Sequence, residues 1–207
     1  DELIMEANSN GTAYTRYNGT QKIITDSVNS TTFRLRETGR GNGIETYNLK
    51  QTTNYGSSVD FTDSNNVWNN VNSLQDEVAT DAHFGGEMTY DFYKKVLGRN
   101  SYNGYDGKLI AYVHYSQNYN NAFWNGQYMT YGDGNGSVFT PLTGLDVCGH
   151  EVSHGMTQYT AGLNYSYESG ALNESFSDIF GTAIEFYARN GNGDYIIGKE
   201  ITPSGTG

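Results

Sequence analysis

Two histidines four residues apart carry the clearest chemical signal in the chain. His150 and His154 enclose Glu151 in the run His-Glu-Val-Ser-His. On an α-helix, residues i and i+4 lie one above the other, so both imidazoles can reach a single metal ion. Glu151 lies about 100° around such a helix, where it addresses a water on the ion without being a ligand. The spacing predicts a zinc site with a general base beside it.

Two histidines do not complete a catalytic zinc site, which normally has three protein ligands and one open position. Glu174 follows His154 by twenty residues, enough for a loop and a second helix that returns onto the first. Asp178 stands one turn further along that helix, where a carboxylate accepts the second N–H of a ligand imidazole and fixes its tautomer. We expect these two acids to complete the site.

The elements that position these residues follow from hydrophobic periodicity. The first fifty residues alternate as strands, with Asn18-Gly19 typical of a type I′ hairpin turn, and residues 51–70 are typical of irregular surface. Helices are predicted near 74–97, over 145–159 and over about 169–190, with further strands at 109–115 and 127–131. Strands followed by helices indicate an α+β fold. We expect a β-rich N-terminal lobe at 1–144 and the zinc-site helices at 145–207.

Composition excludes several classes of protein. The 207 residues contain 12 Lys and Arg against 23 Asp and Glu, a formal net charge of −11. This balance argues against a nucleic-acid binder or a polybasic membrane anchor, and no apolar run is long enough to span a membrane. The single Cys148 excludes an intrachain disulfide and a cysteine-rich metal site. The Gly, Tyr and Asn content, with Asp1 in place of Met, favours a secreted protein after removal of a signal peptide and prosegment.

Several segments resemble the thermolysin-like neutral zinc metalloproteases. The matching segments are residues 119–126, 131–134, 146–155, 159–163 and 168–182. The resemblance implies a β-rich N-terminal lobe, a central zinc-binding helix, a second helix and a C-terminal helical lobe that is mostly outside this chain. It implies an endopeptidase that hydrolyses peptide or protein substrates.

The resemblance also implies roles for individual residues. Zinc is expected on His150, His154 and Glu174, with Glu151 as the general base. Asp178 is expected to orient His150, and Tyr165 to donate to the tetrahedral oxyanion. The segment that hydrogen-bonds extended peptide is expected at Asn121, Ala122 and Trp124.

The family also binds calcium beside the zinc helices. Its carboxylates match Asp146, Glu185 and Asp194, and Ile196 offers a carbonyl oxygen. Ile196 and Lys199 stand where the family's type member has acids, so we expect one calcium ion rather than an adjacent pair.

The family's second oxyanion donor is a histidine in a C-terminal helical region, and neither His83 nor His114 matches it. We therefore expect a C-terminal fragment of the same protein as a partner, and weak or no activity without it. Two alternatives stay open: a non-catalytic fragment that retains metal and acts by binding, and a zinc aminopeptidase with the same ligands.

Overall fold

Short strands occupy the first part of the chain, and helices dominate the rest. The structure is a computed structural model that describes residues 7–69 and 76–207. In chain order its strands are β1 (Ala7–Tyr14), β2 (Thr20–Asn29), β3 (Thr32–Arg34), β4 (Arg36–Glu37), β5 (Ile44–Asn48), β6 (Val59–Asp60), β7 (Thr62–Asp63), β8 (Val67–Trp68), β9 (Leu109–Val113), β10 (Ala122–Trp124) and β11 (Met129–Tyr131). The helices are α1 (Glu77–Lys95), α2 (Leu145–Gln158) and α3 (Tyr167–Ala188). This confirms the predicted α+β class.

The strands form two sheets. The first has the order β7-β3-β2-β1-β8, and the second has the order β10-β11-β9-β5-β4 with β6 paired to β5. In the second sheet β5, β9 and β11 run parallel, whereas β10 pairs antiparallel with β11 at one edge. Helix α1 contacts both sheets and both later helices. The sheet edge formed by β10 is the one that faces the metal site.

The first hairpin differs from its prediction. Strand pairing ends at Tyr14 and Thr20, so the loop has five residues instead of the two that a type I′ turn at Asn18-Gly19 requires. The buried carboxylate of Asp81 accepts hydrogen bonds from the backbone N–H of Arg16, at 2.7 Å, and from that of Tyr17. These bonds to α1 replace the cross-strand bonds of a tight turn.

Residues 51–70 are also more ordered than predicted. The described part, up to residue 69, contains a 3₁₀ turn (Tyr55–Ser57) and the short strands β6, β7 and β8. The helix predicted near 74–97 is confirmed as α1, while Leu74, its first predicted apolar position, lies outside the described residues. Among the described residues, no helix is long and apolar enough to cross a membrane. The lobe boundary at 144 stays a prediction.

Helices α2 and α3 pack closely through glycine. A Cβ on Gly149 would lie 2.8 Å from the Ile184 side chain, and a Cβ on Gly181 would lie 2.3 Å from the Asp146 carbonyl oxygen. Glycine destabilises a helix interior by about 1 kcal/mol relative to alanine. At these two positions it allows the axes of α2 and α3 to approach closely. That close approach brings the α3 acids within reach of the α2 histidines.

The apolar positions of α3 predict one packing face, and only half of them pack: Phe180, Ala183 and Tyr187 lie against the core. Leu172, Phe176 and Ile179 are exposed, with 46, 38 and 58% of their surface accessible. Apart from Ile184, the buried face of α3 consists of small and polar residues: Gly170, Asn173, Ser177, Gly181 and Glu185. Periodicity correctly predicts a helix here, but the buried face is the one that presents ligands and small contacts to α2.

Candidate metal centre and active site

The two histidines and Glu174 converge at one point between α2 and α3. The Nε2 atoms of His150 and His154 are 3.0 Å apart. The carboxylate oxygens of Glu174 lie 3.1 Å from the first and 3.5 Å from the second. Tetrahedral zinc, with ligand bonds of about 2.0–2.1 Å, separates its ligand atoms by about 3.3 Å. The spacing therefore fits that ion.

The tautomers of both histidines also point to a cation. The Nδ1–H of His150 donates to Asp178 at 2.8 Å, and that of His154 donates to the Asn173 amide oxygen at 2.8 Å. Each Nε2 is then an acceptor, so two acceptor nitrogens and a carboxylate face one another at hydrogen-bond distance. Such an arrangement is repulsive until a cation lies between the three groups. The donor set fits zinc, which takes neutral imidazole and carboxylate ligands.

Asn173 is a site residue that the sequence analysis did not single out. It is 7% exposed and stands immediately before Glu174 on α3. The Ser177 hydroxyl lies one turn further along the same face, 3.2 Å from Nδ1 of His154. Asn173, Ser177 and Gly181 follow one another at intervals of four residues on α3, which places these polar and small residues on one face. That pattern is visible in the sequence, but the contact of Asn173 with His154 depends on how α3 crosses α2.

Glu151 lies in the same cleft as the three ligands. One ligand atom each from His150, Glu151 and His154 lie within 4.8 Å of one another. Burial raises the pKa of the Glu151 carboxyl to about 7, with the nearby Glu174 charge acting in the same direction. A bound divalent cation favours the charged form and lowers this pKa.

Tyr165 lies at the rim of the cleft. Its side chain is 69% exposed, its ring centroid is 5.9 Å from that of His154, and its hydroxyl donates to the Glu174 carboxylate. The structure thus places Tyr165 beside the metal centre, as expected. The contact of its hydroxyl with a metal ligand was not predicted.

The cleft runs between α2 and the edge strand β10 and has a volume of about 630 Å³. Asn121, Ala122 and Trp124 line it together with the metal-site residues, so the structure brings the predicted substrate-binding segment to the predicted zinc site. The Trp124 indole packs on Gly155 and its N–H donates to Gln158 at 2.9 Å. This contact holds β10 against the helix that carries the histidines.

The other two histidines lie elsewhere. His83 is fully buried, with its ring between Ile24 and Thr46. His114 is bonded to Asp133 at 2.7 Å. Neither lines the cleft. The buried Cys148 lies against Gly85 of α1, and burial raises the pKa of its thiol well above the usual range.

The residues expected to bind calcium lie together in a second pocket. Asp146, Glu185, Asp194 and Ile196 line it, but so do Arg189 and Lys199, which pair with its carboxylates. Calcium takes six to eight oxygen ligands, and here the Arg189 guanidinium and the Lys199 ammonium are paired with carboxylates that would supply them. As arranged, these residues do not fit the ion, and the calcium site stays a prediction that this geometry opposes.

Comparison with known proteins agrees with the fold and the metal centre. A family model described as "Thermolysin metallopeptidase, catalytic domain" matches residues 10–158, and one described as "Thermolysin metallopeptidase, alpha-helical domain" matches residues 161–207. Part of the C-terminal helical domain is therefore present.

Individual relatives agree with these matches. The chain is 47% identical over 190 residues to the thermostable neutral protease NprT of Geobacillus stearothermophilus, covering 90% of this chain and 34% of that protein. It is 45% identical over 202 residues to the transglutaminase-activating metalloprotease of Streptomyces mobaraensis, covering 95% of this chain and 26% of that protein. The structure of the precursor of protealysin from Serratia proteamaculans aligns with a TM-score of 0.66 and 35% identity, covering 77% of this chain and 49% of that one.

Two histidines and one glutamate are the protein ligands of one class of zinc peptidases, and the groups that meet between α2 and α3 fit that class. Within that class, the chain belongs to the thermolysin metallopeptidase family. It spans about a third of the length of the curated relatives NprT and bacillolysin.

Proposed function

We propose that the protein containing this chain is a zinc-dependent endopeptidase that hydrolyses peptide bonds in peptide or protein substrates. The observation that carries the proposal is the convergence of His150, His154 and Glu174 in the cleft that also holds Glu151. Family membership supports the same reaction.

Each site residue has a defined part in this reaction. Zinc, held by His150, His154 and Glu174, would polarise the scissile carbonyl and make water acidic enough to attack near neutral pH. Glu151 takes the proton of the attacking water and passes it to the leaving amine. Burial raises the pKa of this carboxyl, which makes it a stronger base toward the attacking water. Asp178 and Asn173 hold the two imidazoles in the tautomer that leaves Nε2 free.

Tyr165 is proposed to stabilise the oxyanion. Its exposed ring leaves the hydroxyl free to turn from Glu174 toward a substrate oxygen. One such donor is typically worth about 10²–10³ in turnover.

Substrate is proposed to bind as an added strand on β10. This strand lies at the edge of the second sheet, and Asn121 and Ala122 face the cleft beside it. Main-chain hydrogen bonds supply affinity without requiring a particular side chain, which suits cleavage of varied polypeptides.

A second oxyanion donor is proposed to come from a C-terminal fragment of the same protein, since neither His83 nor His114 lines the cleft. The chain without that fragment would then be weak or inactive. Native and denaturing intact-mass measurements on purified protein test this, because a co-purifying fragment adds mass only under native conditions.

We also propose that the protein is secreted after removal of a signal peptide and prosegment. The polar, tyrosine-rich composition supports secretion, and the structural relative from Serratia is itself described as a precursor. Immunodetection in culture medium and in cell lysate tests this proposal, and retention in the lysate contradicts it.

The zinc mechanism is tested with two matched substitutions in the complete protein. Glu151→Gln should retain zinc and lose roughly 10²–10⁴-fold in turnover, because only proton transfer is removed. Glu174→Gln should lose zinc on dialysis, while Glu168→Gln, an exposed acid on the same helix, should change neither. Metal analysis and peptide cleavage followed by mass spectrometry give both readouts.

The same experiment separates the alternatives. An endopeptidase cleaves an N-acetylated peptide internally, whereas an aminopeptidase does not cleave it. Zinc-loaded wild-type protein that binds peptides without cleaving them would indicate the non-catalytic alternative. Near wild-type turnover by Glu151→Gln would overturn the proposed mechanism.

A further inference from the structure

The second pocket, of about 360 Å³, lies where the start of α2, the end of α3 and the segment after α3 meet. Four carboxylates line it: Asp146, Glu185, Asp194 and Glu200. Four like charges in one pocket are unfavourable unless each has a partner. The identity of these partners decides whether the pocket needs a metal ion.

Arg189 supplies one positive charge. Its guanidinium donates to Glu185 at 2.5 Å, to Glu200, and to the amide oxygen of Asn18 at 3.0 Å. Asn18 lies in the loop between β1 and β2, so one side chain joins that loop, α3 and the segment after α3. A bridging metal ion commonly makes this kind of three-way connection.

Lys199 supplies the second positive charge. Its ammonium pairs with the Asp194 carboxylate, which also accepts from the backbone N–H of Ile196 at 3.0 Å. The backbone N–H of Asp194 in turn donates to Glu185 at 3.2 Å. The segment after α3 is therefore held by the ion pair of Lys199 with Asp194 and by backbone hydrogen bonds to Asp194 and Glu185.

Four carboxylates and two cations leave 4 − 2 = 2 negative charges. The start of α2 accounts for them. Asp146 accepts from the backbone N–H groups of Val147, at 2.8 Å, and Gly198, at 2.6 Å. Glu200 accepts from the backbone N–H of Leu145. A helix N-terminus carries about half a positive charge and stabilises anions near it.

The zinc centre is a useful contrast within the same molecule. There, the Nε2 atoms of both imidazoles face each other and the Glu174 carboxylate as acceptors, and the Tyr165 hydroxyl, which donates to Glu174, is the one donor described at the three groups. In the second pocket every carboxylate has donors from the chain, and none is among the described buried side chains with an unpartnered atom. One cluster requires an external cation, whereas the other contains its own.

We infer that Arg189 and Lys199 take the place of a divalent cation in this pocket, and that the junction of α2 and α3 is held without calcium. The zinc centre then depends on an added ion, whereas the stability of the helices that support it does not.

The inference is tested by thermal unfolding of the complete, zinc-saturated protein, freed of calcium by dialysis and compared with and without millimolar calcium. The double variant Arg189→Met/Lys199→Met removes both charges and keeps the apolar stems. Without calcium we expect its melting temperature to fall on the order of 5–10 °C, because buried carboxylates lose their partners. Calcium should then restore most of the loss. Lys50→Met, at an exposed lysine, is the charge control and should leave the melting temperature unchanged.

A double variant as stable as the wild type without calcium would overturn the inference. If the double variant does not fold, the wild type and Asp146→Asn decide the matter by equilibrium dialysis with radioactive calcium. Equal binding to both places any calcium elsewhere in the protein and supports the inference. Wild-type binding or stabilisation that Asp146→Asn abolishes contradicts it.

Discussion

The two imidazoles of the metal centre are oriented by different groups. His150 donates to a carboxylate, Asp178, whereas His154 donates to an amide, Asn173. An amide oxygen fixes the ring and its tautomer without adding a charge beside the metal. The net charge of the ligands and their immediate partners is therefore kept at two negative charges, from Glu174 and Asp178.

Replacing Asn173 with Ala should weaken zinc binding by about 10–100-fold, because His154 loses the acceptor that fixes its tautomer. Asn173→Asp keeps an acceptor oxygen and should restore most of the affinity. Asn164→Ala, at an exposed asparagine in the preceding loop, is the control. Competition with a chromophoric chelator measures the affinity, and wild-type affinity in Asn173→Ala would show that the amide does not position the ring.

Local spacing predicted that His150 and His154 share one helix face, but it did not predict Asn173 as the partner of His154. The i, i+4 relation of His150 and His154 follows from helix geometry alone, so the sequence was enough. The contacts of Asn173 and of the Tyr165 hydroxyl depend on how α3 crosses α2. No pattern within either helix contains that angle.

At the scale of elements, the close crossing of α2 and α3 determines which side chains of the two helices meet at the site. The helices touch at Gly149 and Gly181, directly beside the turn that carries His150. Any side chain at this contact separates the histidines on one helix from the acids on the other.

Gly181→Ala should therefore destabilise the protein, although alanine is the better helix former by about 1 kcal/mol. The added Cβ would lie 2.3 Å from a backbone oxygen of α2, which cannot move without shifting the helix. Overpacking costs about 1–3 kcal/mol, so we expect a net loss of about 1–2 kcal/mol and weaker zinc binding. Ser175→Ala, on the exposed face, should do neither. Denaturant unfolding and metal analysis measure both, and a stabilised Gly181→Ala would contradict the close contact.

Periodicity predicted the existence of these helices but not their buried faces. In the apolar stripe of α3, Phe180, Ala183 and Tyr187 pack against the core, whereas Leu172, Phe176 and Ile179 are exposed. The contact with α2 uses Ile184 together with small and polar residues of α3. The prediction of a two-residue hairpin loop was wrong for a similar reason. The loop is held by Asp81, which lies on α1 and is distant in sequence.

At the scale of the whole molecule, α1 joins the two sheets through one buried side chain. The Nε2–H of His83 donates to the carbonyl of Ile24 in β2, and its Nδ1 accepts from the Thr46 hydroxyl of β5. With Nδ1 as the acceptor, the contact with Thr46 needs the neutral ring. Burial lowers the pKa of His83 to about 4, while its buried neighbour Glu87 has a pKa raised by burial to about 8.

The neutral state of His83 makes stability depend on pH. In the unfolded chain a histidine binds a proton below about pH 6.5, but the folded protein binds it only below about pH 4. Its contribution to the free energy of unfolding is complete above pH 6.5 and is lost as the pH falls toward 4, by up to roughly 3 kcal/mol.

His83→Gln removes this titration and keeps a donor and an acceptor. The difference in free energy of unfolding between wild type and His83→Gln should be constant above pH 7. Below pH 6.5 the wild type should lose stability relative to the variant. A difference independent of pH would contradict the neutral assignment.

The sequence predicted the fold class because the change from strand periodicity to helix periodicity is visible in the local order of apolar residues. It could not predict that α1 would lie against both sheets, with His83 reaching a strand of each. Such a contact pairs residues far apart in sequence, and no local pattern specifies which pairs meet.

The packing of Trp124 against the helix that carries His150 and His154 also gives the cleft an optical label. The chain contains two tryptophans, and the other, Trp68, is 4% exposed in the first sheet with its N–H bonded to Asn66. Emission from Trp68 is shielded from solvent and from anything that enters the cleft. A change of fluorescence on adding an uncleaved peptide therefore reports on Trp124, and occupancy of the edge strand can be followed in real time without a dye.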